Sequence, residues 1–257
     1  MSPAIHQTSH LTTDQQQALL SLVRLCQKHD SLSLSYPIDS EDGVSVHYLL
    51  SDSSSHLLSA LALLSLDDTT YECVAFTHPA HRQKGYFSRL LALALESCQE
   101  CDLLFPVSGS CTDTLAALKA LGAELSHQEL RMERELSVSL PCTSSTQHHA
   151  KLLAPESVFS ENAIWKLSFS SSADVIGSCL TSPVSPGVLC LHQVEIADRL
   201  RGQGFGLMLL CQLLTRLQQE NGLKRLLLHV SADNLPAVSL YKKTGFRITE
   251  TLSYYWY

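Results

Sequence analysis

One short stretch of this chain, residues 194–206, constrains its fold and chemistry more than any other. It reads Val-Glu-Ile-Ala-Asp-Arg-Leu-Arg-Gly-Gln-Gly-Phe-Gly, an apolar run followed by a turn rich in glycine. A leucine-rich segment follows at once, with leucines recurring at helical spacing at Leu210, Leu213, Leu214 and Leu217. The pattern predicts a strand, a glycine-rich loop and the start of an amphipathic helix.

This arrangement presents backbone N–H groups and a helix dipole to a diphosphate. Gly204 and Gly206 allow a close approach to phosphate oxygens, and Arg201 adds a permanent positive charge. No Gly-Lys-Ser/Thr follows, and Gly-x-Gly-x-Gly differs from the dinucleotide fingerprint Gly-x-Gly-x-x-Gly, so the spacing excludes both of those phosphate loops. Taken alone, the loop also fits a plain strand-to-helix turn that only needs glycines.

A second block lies downstream of the loop. Residues 226–230, Leu-Leu-Leu-His-Val, read as a buried strand, and residues 235–244 read as a helix. Pro236 suits the first turn of that helix and Gly245 suits its C-terminal cap. A final pair of strands is predicted from Phe246 to the end of the chain.

Both blocks resemble motifs of the GNAT superfamily of N-acetyltransferases. The loop is similar to the superfamily's Arg/Gln-x-x-Gly-x-Gly/Ala signature, which holds the pyrophosphate of acetyl-CoA. The second block is similar to its Asn-x-x-Ala-x-x-Leu-Tyr-x-x-x-Gly-Phe motif, matched by Asn234, Ala237, Leu240, Tyr241, Gly245 and Phe246. Two motifs in the superfamily's order make chance a poor explanation of either.

The first half of the chain repeats this arrangement. A strand-like segment at 71–76 leads into the loop Arg82-Gln83-Lys84-Gly85 and a helix, and residues 114–123 mirror the helix and glycine of the second motif. A repeat of roughly 120 residues is too long for a solenoid unit and suits two whole domains. We therefore predict an α/β (mixed α+β) fold with two tandem GNAT-like domains, each a twisted, mostly antiparallel central sheet flanked by helices. The predicted domains are residues 1–139 and 140–257, joined by a polar linker.

The two copies differ at the positions that carry chemistry. The first copy has Phe87, Cys111 and Leu118 where the second has Gly206, Asn234 and Tyr241. Because leucine has no proton to donate, we expect the first domain to be degenerate and the second to be catalytic. Two roles stay open for the first copy: it holds a CoA-like diphosphate through its loop amides, or it only supports the second.

The resemblance implies which residues form the site. It places acetyl-CoA on Val194, Ile196, Arg201, Gly202, Gln203, Gly204, Phe205, Gly206 and Asn234. A backbone N–H near Val194–Ile196 would meet the oxyanion, and Tyr241 would protonate the departing thiolate. The structural alternatives are a core aromatic at Tyr241 and a helix-capping turn residue at Asn234.

Glu195 is the candidate base for the amine. It either removes the ammonium proton, directly or through water, or is a solvent-facing residue on an alternating strand. His192 lies three residues earlier, so on a regular strand it points to the opposite face from Glu195. A β-bulge in this strand would change that relationship.

Composition narrows the class of protein. The formal net charge of −7 argues against a nucleic-acid partner and fits a cationic amine acceptor. No window approaches about 18 uninterrupted apolar residues, and no signal-peptide layout opens the chain, so we expect no membrane partner and a cytoplasmic location. Nine cysteines without such a signal predict reduced thiols, with Cys98 and Cys101 structural. No His-Glu-x-x-His or zinc spacing occurs, so no metal is expected.

The sequence thus favours an acetyl-CoA-dependent N-acetyltransferase acting by direct transfer to a primary amine. One alternative is a non-catalytic acyl-CoA-binding or regulatory tandem module. Another is a transferase of longer acyl or of aminoacyl groups, which would keep the same residues and differ in pocket depth. Tyr241 and Asn234 favour an enzyme over a binder, because a binder has no need of a proton donor.

Overall fold

The computed structural model describes residues 3–38, 44–98, 101–109, 111–138, 150–172 and 174–257. The chain divides into two compact units. The first unit is Met1–His127 together with Leu252–Tyr257, and the second is Gln128–Thr251.

The first unit is an antiparallel sheet with one parallel pair. Its elements in chain order are β1 (Ala4–Thr8), α1 (Thr13–Asp30), β2 (Val44–Ser51), β3 (Leu57–Ser65), β4 (Thr70–Thr77), α2 (Tyr86–Ser97), β5 (Asp102–Ser108), α3 (Thr112–Leu121) and the start of β6 (Glu124–Glu135). The strand order is β1-β2-β3-β4-β5, and the end of the last strand, β12 (Arg247–Trp256), pairs with β5.

Helices cover both faces of the first sheet. Helix α1 begins at a capping box made by Thr12 and Gln15, and its buried residues are Leu19, Leu22, Val23 and Cys26. These pack with Val74 and Phe76 of β4 in one core cluster. The residues of α2 and α3 that are buried, among them Leu90 and Leu118, belong to a different cluster on the other face.

The second unit contains a similar sheet of its own but fewer helices. Its elements are β7 (Ala150–Leu153), β8 (Ala163–Phe169), β9 (Val175–Ser185), β10 (Val188–Ile196), α4 (Phe205–Leu217), β11 (Arg225–Ser231), α5 (Leu235–Lys243) and β12, with most of β6. The strand order is β6-β11-β10-β9-β8-β7, antiparallel except for β10 and β11.

Both helices of the second unit pack on one face of its sheet. Residues of α4 and α5 form a single core cluster with Trp165, Cys179 and Leu228. Side chains of alternate residues on the same strands, such as Ile164 at 51% exposure, lie on the other face. Within the described residues, that second face carries no helix.

Each unit contains a pair of parallel strands that separates after three residues. In the first unit β4 pairs with β5 only over Thr70–Glu72, and in the second β10 pairs with β11 only over Val188–Cys190. Beyond those positions the strands of each pair do not bond to each other within the described ranges. The edges of β4 and β10 are thus available to a ligand just before the glycine-rich loops.

The structure confirms the predicted fold class, a mixed α/β protein built from sheets flanked by helices. Most of the predicted linker falls in 139–149, outside the described residues, so the division at 139 and 140 stays a prediction. The compact units instead meet at His127 and Gln128, and residues from Leu252 onward join the first unit because they pair with β5.

Candidate functional site

The glycine-rich loop of the second unit lies between β10 and α4. A short 3₁₀ turn at Asp198–Leu200 precedes it, and Gly204 is the N-terminal cap residue of α4. Gly202 and Gly204 have φ values of +74° and +86°, and a Cβ at either position would meet no atom within 4 Å. Backbone conformation, rather than space, therefore demands glycine here, and the loop surface stays open.

The N-terminus of α4 has the properties of an anion site. No side chain among the described residues caps it, and residues 201–204 are exposed. The first N–H groups of a helix have no partner within the helix, and the helix dipole makes this end positive. An exposed, uncapped helix start of this kind suits a phosphate group.

Arg201 braces the loop and adds its charge to this end. Its Nε donates to the Ile196 carbonyl at 3.1 Å, and its guanidinium pairs with Asp198 at 2.7 Å. The Arg201 side chain is 67% exposed, so its charge is accessible to a ligand. Gln203 donates from its side chain to the Arg199 carbonyl at 2.9 Å, which fixes the loop internally.

The other predicted cofactor residues of the loop have packing roles as well. Phe205 is buried against Phe169, with ring centroids 5.7 Å apart, so its side chain belongs to the core and not to the loop surface. A Cβ on Gly206 would lie 3.1 Å from the Leu240 side chain, so this glycine also permits close packing of α4 on α5. Val194 and Ile196 are partly buried against the same core.

Tyr241 lies in α5 within the core of the second unit. It is 7% exposed, and its ring meets Phe246 edge to face at a centroid distance of 5.8 Å. Burial, with the nearby Cys179 as a smaller contribution, raises the pKa of Tyr241 to about 12. The hydroxyl therefore keeps its proton at neutral pH, so this core aromatic is also able to donate a proton.

Asn234 caps helix α5. Its Oδ1 accepts a hydrogen bond from the Ala237 N–H at 3.2 Å, which is the structural alternative that the sequence left open. Pro236 occupies the first turn and Gly245 has a φ of +86°, as the sequence pattern predicted. A contact of Asn234 with CoA stays a prediction.

A β-bulge brings His192 and Glu195 to one face of β10. His192 pairs with Leu180 and Glu195 with Ser178, so β10 has one extra residue between them, and Gln193 there adopts a φ of +51°. Because Leu180 and Ser178 are two positions apart on β9, the side chains of His192 and Glu195 point the same way. A regular strand would place His192 and Glu195 on opposite faces, and this expectation is wrong for β10 because of the bulge.

Sequence reasoning missed two polar partners of His192. The Nε2 atom of His192 lies 2.9 Å from Ser182 Oγ, and Ser182 donates in turn to Asn162 Oδ1 at 3.1 Å. No motif marks these residues, because their approach depends on the pairing of β8, β9 and β10.

The first unit has the same loop with different electrostatics. Arg82 Nε donates to the Thr77 carbonyl at 3.3 Å, as Arg201 does to Ile196, and Gly85 caps α2 with a φ of +73°. Unlike Arg201, Arg82 is mostly buried and pairs with two carboxylates, those of Asp30 and Asp113.

A cavity of about 400 Å³ opens in the first unit where β4 and β5 separate. Its walls include the apolar residues Ala75, Phe105, Val107 and Leu118, and the ion pair of Arg82 and Asp30 lies at its loop end. Leu118 is 2% exposed at the position that Tyr241 holds in the second unit, so this cavity has no proton donor there.

The cysteines correct one expectation. Cys98 and Cys101 are joined by a disulfide, not reduced, whereas the other six cysteines of the described chain are free. Those described residues contain no group of three or more ligands suited to a metal ion. They also contain no helix that is long and apolar enough to cross a membrane.

Comparison with known proteins agrees with this geometry. Residues 134–246 match the profile described as the acetyltransferase (GNAT) family. Over 61 residues the chain is 43% identical to the mycothiol acetyltransferase of Corynebacterium jeikeium (strain K411), a match that covers 24% of this chain and only 17% of that relative.

Two solved structures share the fold of the whole chain. A GCN5-related N-acetyltransferase from Sphaerobacter thermophilus has a TM-score of 0.76 at 14% identity, covering 100% of this chain and 96% of that one. A tandem GNAT protein from the clavulanic acid biosynthesis pathway has a TM-score of 0.68 at 14% identity, covering 99% and 98%. Residues 134–246 therefore resemble the acetyltransferase (GNAT) family, and the whole chain has the fold of solved GNAT proteins.

Proposed function

We propose that the second unit is an acetyl-CoA-dependent N-acetyltransferase that transfers the acetyl group directly to a primary amine. The observation that carries the proposal is the exposed, uncapped start of α4, which follows the part of β10 that is no longer paired with β11. The loop supplies a place for a diphosphate, and the free edge of β10 supplies N–H and C=O groups for the rest of the donor.

Each predicted site residue has a part in this proposal. Backbone N–H groups at Gln203–Gly206 and the Arg201 charge bind the diphosphate. A backbone N–H of β10 near Val194–Ile196 meets the oxyanion that forms at the thioester carbonyl. Bound acetyl-CoA supplies an activated acyl carbon and a thiolate leaving group.

Two side chains then handle charge and protons. Glu195 is exposed on the helix-free face and meets the ammonium of the acceptor, whose proton must leave before nitrogen attacks. As the C–N bond forms and the C–S bond breaks, Tyr241 donates its hydroxyl proton to the thiolate. The second proton lost by nitrogen restores Tyr241, so one proton is released in total.

The family match supports acyl transfer, and the name of the partial relative, an acetyltransferase, points to acetyl as the group. The net charge of −7 favours a cationic acceptor and no nucleic-acid partner. The six free cysteines are compatible with the cytoplasmic location that the sequence predicted, whereas the Cys98–Cys101 disulfide is uncommon in that compartment.

The test is a screen of amine acceptors with acetyl-CoA, read out by release of free CoA thiol and by the mass of the acetylated product. The panel holds alkylamines, an amino sugar, free amino acids and a peptide with a free N-terminus. We expect acetylation of at least one amine by the parent protein. Binding of acetyl-CoA without acetylation of any amine class would contradict the proposal.

The cavity of the first unit favours a second candidate function, an acyl-CoA-binding module. Gly85 is the N-cap residue of α2, as Gly204 is of α4, and no side chain of the described residues caps either helix start. If the first unit binds CoA, calorimetry on the parent shows two sites per chain. The Gly85→Asp and Gly204→Asp variants should then each retain one, whereas a single site lost only with Gly204→Asp contradicts this candidate.

A further inference from the structure

The equivalent sheet face is covered by a helix in the first unit and is without a described helix in the second. The carbonyls of Thr77 and Ile196 both accept from their loop arginine, which aligns the ends of β4 and β10. Counting back from this point, Glu195 stands where the first unit has Phe76, which is buried beneath α1 at 4% exposure. In the second unit the equivalent position carries the exposed Glu195 carboxylate, and no described helix covers this face.

The bulge extends this correspondence to His192. Strands β3 and β4 pair without a register shift, so Val74 and Phe76 share a face in the ordinary way. The extra residue of β10 puts His192, instead of its neighbour Gln193, in line with Glu195. The two side chains stand two strand positions apart, roughly 7 Å along β10, which leaves room for an amine between them.

The hydrogen bonds around His192 determine its tautomer. Ser182 has one hydroxyl proton, which it gives to Asn162 Oδ1 at 3.1 Å, while the Asn162 N–H donates to Ser182 Oγ at 3.2 Å. With the Asn162 amide in this orientation, Ser182 accepts at 2.9 Å from His192 Nε2, which carries the ring proton. The lone pair is then on Nδ1, for which the described chain offers no hydrogen-bond donor.

We propose that His192 is the catalytic residue that accepts the ammonium proton of the acceptor, an inference that rests on the proposed N-acetyltransferase function. Glu195 binds the ammonium, and one N–H proton passes to His192 Nδ1. The freed lone pair forms the C–N bond to the acetyl carbon, the C–S bond breaks, and the imidazolium later returns its proton to water. Ser182 and Asn162 are positioning residues that hold the ring proton of the neutral imidazole on Nε2, so that its lone pair is on Nδ1.

Several ionisable groups of the described residues share this face. On β11, Arg225 and the exposed His229 alternate with the core residues Leu226 and Leu228, and on β6 they pair with Glu135 and Arg131. Cys190 precedes His192 on the same face, and burial raises the pKa of its thiol, so it stays neutral. Lys166 pairs across from Ser178, which puts an ammonium of the protein's own on the Glu195 side of the face. Of the two histidines on this face, His192 is the one on the same strand as Glu195 and the one whose ring is held by Ser182, so the proton is assigned to it and not to His229.

The deciding experiment compares two acceptors that differ only in protonation. One is the alkylamine that the parent acetylates fastest, and the other is its alkoxyamine analogue, which is neutral at pH 7. We expect His192→Gln to lower kcat/KM roughly 10²-fold for the alkylamine, the lower range for a positioned proton acceptor, and by less than about threefold for the alkoxyamine. Acetyl-CoA affinity should not change, and His56→Gln, an exposed histidine of the first unit, is the residue-matched control.

A second measurement does not depend on turnover. Nitrogen-15 NMR of histidine-labelled protein, with His192 assigned by difference from His192→Gln, should show a proton on Nε2, and Ser182→Ala should reduce that preference. A proton on Nδ1 would overturn the proposal, as would an equal loss for both acceptors. If the parent acetylates the alkylamine and the His192→Gln variant does so at the same rate, only the role of His192 is overturned. If the parent acetylates no amine, the proposed function and this role are overturned together.

Discussion

Arg82 holds the Asp30 carboxylate through two hydrogen bonds, one from each terminal nitrogen of its guanidinium, at 2.9 and 2.5 Å. Asp30 ends α1 and Arg82 precedes α2, so the pair connects two elements of the first unit. Both side chains are mostly buried, at 9% and 17% exposure, and Arg82 also bonds Asp113 at 2.9 Å. The hydrogen bonds from Arg82 hold the pKa of Asp30 below its usual value.

Replacing this arginine should destabilise the protein. We expect Arg82→Ala to lower the free energy of unfolding by roughly 2 kcal/mol, between the values typical of exposed and of buried ion pairs, because it leaves Asp30 without its main partner. The matched control is Arg201→Ala, whose ion pair is exposed and which should cost little. Urea denaturation of the three proteins measures this, and equal stabilities of both variants would contradict it.

The same pair predicts a pH dependence. Because the folded-state pKa of Asp30 is lowered, its contribution to stability is complete above the unfolded pKa of about 3.9 and is lost as the pH falls through the folded value. The difference in unfolding free energy between the parent and Arg82→Ala should thus be constant near neutral pH and shrink below about pH 4. A difference that grows with acid would have the wrong sign.

Changes in the first loop should spare catalysis. We expect Arg82→Ala and Gly85→Asp to leave turnover within a few-fold of the parent at a temperature where both are folded, because the proton donor lies in the second unit. Thiol-release kinetics with circular dichroism as the folding control tests this. If either variant stops acetylation as completely as Gly204→Asp does, the first unit contains a working site.

Charge at the second loop should decide acetyl-CoA binding. Gly204→Asp and Gly204→Asn place side chains of similar size on a residue with a φ of +86°, a conformation that both residues tolerate. Because only aspartate adds a negative charge beside the diphosphate, we expect its affinity to be roughly tenfold to a hundredfold below that of the asparagine variant. Calorimetry with acetyl-CoA distinguishes them, and equal affinities would argue against a diphosphate at this helix.

Tyr241→Phe should separate proton donation from packing. The ring and its contact with Phe246 remain, so stability and acetyl-CoA affinity should change little. We expect kcat to fall roughly 10²-fold, because the lost hydroxyl acts only as the thiolate leaves. Steady-state kinetics on a confirmed amine measures this, and a rate within a few-fold of the parent would leave Tyr241 as a core aromatic alone.

Variants of Asn234 distinguish capping from binding. Asn234→Ala removes the cap of α5 and should lower the free energy of unfolding by about 1 kcal/mol, whereas Asn234→Ser keeps a capping oxygen and should not. If Asn234 also contacts CoA, both variants lose affinity for acetyl-CoA. Affinity that survives in Asn234→Ser at parental stability would limit this residue to capping.

Local features of the fold followed directly from the sequence. The helix starts at Gly85 and Gly204, the glycine after α5 and the buried leucine face of α4 depend on backbone conformation and on periodicity, which nearby residues determine. The internal repeat likewise predicted the matching positions of Leu118 and Tyr241, which both lie buried in their helices.

Only the tertiary structure decided how these local parts meet. Whether His192 and Glu195 share a face depends on one extra residue in the register of β10 against β9, and a pattern of alternation along one strand carries no information about its partner. The charge of Arg82 is paired with Asp30, 52 residues away, whereas Arg201, at the equivalent position of the second loop, is exposed. The sequence thus determines which side chains are present, but strand pairing and packing between distant segments determine which partners each side chain contacts.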